Sequence, residues 1–180
     1  MYMHVMGHGE PAKLASTLHA ALLESKTPLS AGASANTPTE SNIDLDTAAI
    51  DKALGYQRKV NGGVYQMNIP RADKIRDEGM EVPDSMGSAI AVNFQPSGGG
   101  KCAITGDFVL TATEVNPVIK ALRGSGIEHE DPAMSAVEVT ALHNHMLNDE
   151  PRLFFMHFWA NDQTERLLSG LKLALSRVNT

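Results

Sequence analysis

VEVTALHNHMLNDEPRLFFMHFWA (137–160) reads as two strands folded back on each other. VEVT opens the first with β-branched residues, and RLFFMHFWA (152–160) makes the second from aromatic and aliphatic groups. LNDEP (147–151) between them is turn chemistry. Folding about Asp149 sets His143 opposite Phe155 and Ala141 opposite His157. Strand side chains alternate between faces. His143, His145 and His157 therefore share one face with Phe155 and Trp159, whereas Leu142, Met146, Phe154, Met156 and Phe158 take the other. The second face is apolar and predicts a cover of helices.

Outward from this hairpin, the same alternation marks GVYQMNIP (63–70), SAIAVNFQ (88–95) and KCAITGDFVL (101–110) as strands, with PSGGG (96–100) as a loop. Helical signals lie between them. Asp46 caps a helix over 47–54 that Gly55 ends. A second helix is expected over about 114–123, capped by Thr113 or Asn116, with Pro117 in its first turn, and stopping at Gly124. The last is expected to start at Asp162 with Glu165 completing a capping box, and Leu167, Leu171, Ala174, Leu175 and Val178 form its buried stripe. The segment 101–178 thus reads β-α-β-β-α, a split ferredoxin-like element. The fold class is α+β, a mostly antiparallel sheet with helices packed on one face.

Residues 1–25 read as a strand, MYMHVMG, followed by a helix opened by Pro11 with Leu14, Leu18 and Leu22 on one stripe. KTPLSAGASANTPTESN (26–42) has the composition of a flexible linker, so the main domain is expected over 43–180. The arm echoes the C-terminus. With an offset of 153, Met3, His4, Leu14, Ser16, Leu18, Ala21, Leu22 and Thr27 fall on identical residues, eight of 27 positions. Residues 1–25 therefore read as the tail of an upstream repeat. A lone strand and a lone amphipathic helix need a partner, which points to a two-fold homodimer through this arm, with folding back onto 43–180 as the alternative.

Composition excludes several classes. The net charge is −6, which does not suit a broad grip on nucleic acid. Cys102 is the single cysteine, so no internal disulfide framework and no cysteine-rich zinc module is possible. No apolar run reaches the length of a membrane span, and the chain does not begin with a basic-then-apolar signal peptide. The string His143-Asn144-His145 spells the name of a nuclease class whose residues are spread over a hairpin and a helix with a basic face, which this chain does not offer. Gly98-Gly99-Gly100-Lys101 is not a phosphate loop. Gln95 stands where the first glycine is required, and Cys102 replaces Ser or Thr. Cys102 shares the apolar parity of Ile104 and Phe108 and reads as a small buried hydrophobe rather than a nucleophile.

VTALHNHML and NDEPRLFFMHFW (139–159), with TGDFVLTATEVNPVIKAL (105–122) and GGVYQMNIPR (62–71), resemble the LppY/LpqO family of bacterial proteins, uncharacterised and including predicted lipoproteins. Members of that family look like two tandem copies of one repeat, and YMHVMGHGEPAKLA (2–15) resembles the end of the first copy. HEDPAMSAVE (129–138) stands where the family pattern runs straight into the strand. The resemblance implies an extracytoplasmic setting but no activity.

The candidate site is the histidine face. Three imidazoles on one sheet face can supply nitrogen ligands to a divalent ion, zinc above all, while leaving a position open, the arrangement that metal-assisted hydrolysis needs. Glu150 at the turn could act as general base or further ligand, Asp107 could orient an imidazole from behind, and Asn144 and Trp159 would line the pocket. Two other readings stand beside this one. The face could bind a small polar ligand or a partner without metal, or the histidines could be structural.

Overall fold

The computed structural model describes residues 5, 7–25, 43–56, 58–124, 137–145 and 148–180. The expected linker 26–42, most of the expected first strand and most of HEDPAMSAVE lie outside the described residues. The chain divides into two compact units, Met1–Thr39 and Glu40–Thr180. The described part of the first unit is helix α1 (Pro11–Leu23), with Pro11 at its first turn.

The second unit opens with α2 (Thr47–Leu54). The Asp46 carboxylate accepts the Ala49 N–H at 2.9 Å, and Gly55 ends the helix with φ of 80°. A hairpin of β1 (Arg58–Asn61) and β2 (Val64–Ile69) follows. Its turn is Gly62-Gly63, with φ of 57° and 81°, a left-handed pair that two side-chain-bearing residues would adopt only under strain. The glycine pair is a hairpin signal, but RKVN lacks alternation, so β1 escapes a reading from apolar periodicity. Three two-residue strands form a separate sheet: β3 (Arg76–Asp77), β4 (Met80–Glu81) and β8 (Asp149–Glu150). They are too short for any period to show. The long strands are β5 (Ile90–Gly98), β6 (Lys101–Leu110), β7 (Glu138–Asn144) and β9 (Phe154–Gln163). With β1 and β2 they make a six-stranded sheet in the order β1-β2-β5-β6-β9-β7, and each neighbouring pair is antiparallel. Helices α3 (Ala112–Arg123) and α4 (Thr164–Leu175) complete the unit. The connection β6–α3–β7 is split by β9, which lies between β6 and β7.

Register turns this order into rows across the sheet. Tyr65, Phe94, Ile104 and Ala160 stand side by side, as do Met67, Val92, Gly106 and Phe158 in the next row, and Phe108 with Met156 in another. All are buried. On this face lie α3 and α4, which bring Val118, Leu122, Leu167 and Leu171 into the same core. Gly106 is required by close approach. A Cβ there would meet the Ala91 carbonyl oxygen at 1.9 Å and Phe158 Cζ at 2.9 Å.

Two helix starts differ from those expected. α3 begins at Ala112 with Thr111 as cap, because the Glu114 carboxylate takes the Thr111 N–H at 2.7 Å and closes a capping box. Pro117 consequently sits inside the helix rather than in its first turn. α4 begins at Thr164, because the β6–β9 ladder runs on through Cys102 opposite Asp162 and Lys101 opposite Gln163. Pairing holds Asp162 and Gln163 extended, and the expected box at Asp162 gives way. Leu142 is also out of place. It shares the face of Met156, yet it is 46% exposed because β7 is the edge strand.

One polar cluster ties the ends of the unit together. Arg71, with a side chain 1% exposed, donates from Nη1 to the Val109 carbonyl and to Glu114 (both 2.8 Å), and from Nη2 to Asp73 (2.6 Å) and Glu114 (3.0 Å). Asn179 closes the ring. Its N–H donates to Glu114 at 3.1 Å, its side-chain amide donates to Asp73 at 2.7 Å, and its carbonyl accepts the Ala72 N–H at 2.9 Å.

Candidate functional site

The face away from α3 and α4 carries the other half of each strand's alternation. Asn68, Ala91, Asp107, His157 and Ala141 form one row across β2, β5, β6, β9 and β7. Gln66, Asn93, Thr105, Trp159 and Glu138 form the next. His143 stands opposite Phe155, and Ala141 opposite His157, the register that a turn about Asp149 predicts.

Three of the expected residues meet. His157 Nδ1 lies against the Asp107 carboxylate across the β6–β9 ladder. His157 Nε2 stands 2.9 Å from His143 Nε2, and the two rings lie 5.0 Å apart at 22° to each other. His143 Nδ1 is 3.1 Å from the Asn144 carbonyl oxygen, so Asn144 enters the site through its backbone. His145 falls one residue past the end of β7 and stacks on Phe155, ring centres 4.0 Å apart. Glu150 belongs to the three-stranded sheet, opposite Arg76, and so leaves the histidine rows. Trp159 is 45% exposed, one row from His157. Among the described residues no group of three or more His, Cys, Asp and Glu side chains is arranged to hold a metal ion.

The protons of this line can be counted. A carbonyl oxygen and a carboxylate accept and do not donate, so both Nδ1 atoms carry hydrogen. If both rings were neutral, each Nε2 would turn a bare lone pair on the other at 2.9 Å. The two Nε2 atoms are thus within reach of one shared proton or one bound cation. A divalent ion fits the donor set. Nitrogens each about 2.0–2.1 Å from one tetrahedral ion stand roughly 3.3 Å apart, a few tenths of an ångström beyond the distance here. A carboxylate behind one imidazole is also the usual support of a metal-ligating histidine.

The sequence motif that suggested a phosphate loop lies in the β5–β6 hairpin, with Lys101 as the first residue of β6. Cys102 is fully buried, and burial pushes its thiol pKa up, against a hydrogen bond to Thr164. It has the character of a small core residue.

Sequence reasoning missed two features. The carboxamides Gln66, Asn68, Asn93 and Gln95 occupy alternate strand positions and were legible as the polar half of the period. The Arg71 cluster joins residues 43 and 65 positions apart, and no local pattern announces it.

Fold and site together define an α+β domain with an Asp–His–His line on the face of its sheet opposite α3 and α4. The chain belongs to the family described as Domain of Unknown Function (DUF1259), whose model matches residues 48–177. No curated protein and no solved structure matches it.

Proposed function

We propose that the domain binds a divalent metal ion, zinc in the first instance, through Nε2 of His143 and His157. The observation that supports this reading is the pair of facing Nε2 atoms whose Nδ1 positions are already taken. Asp107 fixes the His157 tautomer that presents Nε2. Two protein nitrogens leave coordination positions for solvent or substrate, which suits a metal-dependent hydrolase-like activity or a metal-carrying role. A bound ion supplies a Lewis acid there. His145 and Glu150 are held as further ligands or as a general base only in this proposal.

Zinc should raise the melting temperature of tag-free protein, since a ligand bound by the native state alone stabilises it by about 2.7 kcal/mol at a hundred times its Kd. His157→Ala and His143→Ala should abolish the shift while leaving the apo fold intact. No response to zinc, nickel or copper, with no stoichiometric metal by elemental analysis, defeats the metal reading.

The second reading is a non-catalytic module for a small ligand or partner, favoured by the exposed Trp159 on the same face. The kinship to LppY/LpqO proteins, the two-copy repeat, the extracytoplasmic setting and a homodimer through the α1 arm belong to this proposal as well. No helix of the described residues is long and apolar enough to cross a membrane.

A further inference from the structure

The sheet face opposite α3 and α4 has a composition that a metal site does not account for. Asn is disfavoured in strands, yet Asn68, Asn93 and Asn161 all lie in strands on this face. Gln66 and Gln95 stand beside them, in the rows of Asn93 and Asn161 respectively. From β2 to β9, the three rows that run from Gln95–Ala103–Asn161 to Asn68–Ala91–Asp107–His157 carry one carboxylate, Asp107, engaged by His157, and the middle row is flanked by Lys59 of β1, opposite Gln66, and Glu138 of β7, opposite Trp159. Three of the five amides, Gln66, Asn93 and Asn161, are tied to neighbours. Gln66 Nε2 donates to Asn93 Oδ1 at 3.0 Å, Asn93 Nδ2 donates to the Thr105 carbonyl at 3.3 Å, and the Ser97 hydroxyl donates to Asn161 Oδ1 at 2.9 Å. Beside them Trp159 leaves 45% of its surface in solvent, with the short Thr105 on one side of it and Glu138 on the other.

We infer that this face binds a neutral glycan, with Trp159 as the stacking platform and the carboxamides as its hydroxyl partners. A carboxamide carries a donor and an acceptor on one uncharged group, which matches a sugar hydroxyl that both gives and takes a hydrogen bond. The apolar C–H face of a pyranose ring matches an exposed indole. The charges at the two ends of the middle row, Lys59 and Glu138, are of opposite sign, and the carboxamides between them favour neither an anion nor a cation. The strands from β2 to β9 span roughly 14 Å at the usual strand spacing, wide enough for more than one sugar ring. The inference goes beyond the metal reading and does not depend on it.

Trp159 is the single tryptophan, so its emission reports this face alone. Cellohexaose, chitohexaose and maltohexaose, with hexagalacturonate as the anionic comparison, should be titrated into the full chain. At least one neutral hexasaccharide should give a saturable emission shift. Calorimetry with the same sugar should show at least a tenfold loss of affinity in Trp159→Ala and a weaker loss in Asn93→Ala. One equivalent of zinc, or a chelator in its place, should leave sugar binding unchanged. The inference is overturned if none of the three neutral sugars binds at millimolar concentration. It is equally overturned if hexagalacturonate binds better than all of them, or if Trp159→Ala binds as well as the wild type.

Discussion

Arg71→Met should destabilise the protein by about 3–5 kcal/mol, the usual cost of removing one partner from a buried charged cluster. For a domain of this size that corresponds to a fall in melting temperature of roughly 10–20 °C. Methionine keeps most of the volume but gives nothing to the Val109 carbonyl, Asp73 or Glu114, all of which Arg71 serves. Urea denaturation of the two proteins measures the difference, and a change under about 1 kcal/mol would mean the cluster is peripheral. The same cluster sets a pH dependence. Burial by itself would raise the Glu114 pKa, but the hydrogen bonds it accepts from Arg71, from the Thr111 and Asn179 amides and from the Thr111 hydroxyl outweigh burial and hold its carboxyl below the ordinary range. A folded pKa below the unfolded value, about 4.3 for Glu, gives stability that is complete above that value and is lost as pH falls through the folded one. The stability gap between wild type and Glu114→Gln should therefore be widest above about pH 5 and should shrink below about pH 4.

Gly106→Ala should cost about 3 kcal/mol or more, at the upper end of what overpacking a core costs. The added methyl would lie 1.9 Å from the Ala91 carbonyl oxygen, which belongs to the ladder and cannot step aside as a flexible side chain could. Relief requires β5 and β6 to part, which also moves Asp107, the next residue. Reduced soluble yield and an early urea midpoint are the expected readouts. Wild-type stability in this variant would show that the two strands do not approach so closely.

Period-two alternation exposes β2, β5, β6 and β9 because each of these strands buries one face and leaves the other polar. The helix α2 is equally plain, since Asp46 and Gly55 carry both ends of it within ten residues. Where competing local signals exist, tertiary pairing decides. The capping pattern at Asp162 yields to the β6–β9 ladder, and Thr111 takes the cap expected at Thr113 because Glu114 reaches back to it. The histidine face is legible as far as parity goes, because His143 and His157 follow from alternation and one turn. The role of Asp107 follows only once β6 is known to lie beside β9, which is information about strand order. His145 lies one residue past the end of β7 at Asn144, yet it stacks on Phe155, on the face that alternation assigns to it.

The central claim is that Nε2 of His143 and Nε2 of His157 share one cation, with hydrogen on both Nδ1 atoms. Nitrogen-15 NMR of the histidine rings at pH 8, before and after one equivalent of zinc, tests it most directly, with His143→Gln and His157→Gln variants to assign the two rings. The account predicts Nδ1–H tautomers for both residues in the zinc-loaded protein and a shift of both Nε2 resonances at one equivalent. An Nε2–H tautomer at either histidine in that sample, or Nε2 resonances indifferent to zinc, would contradict it.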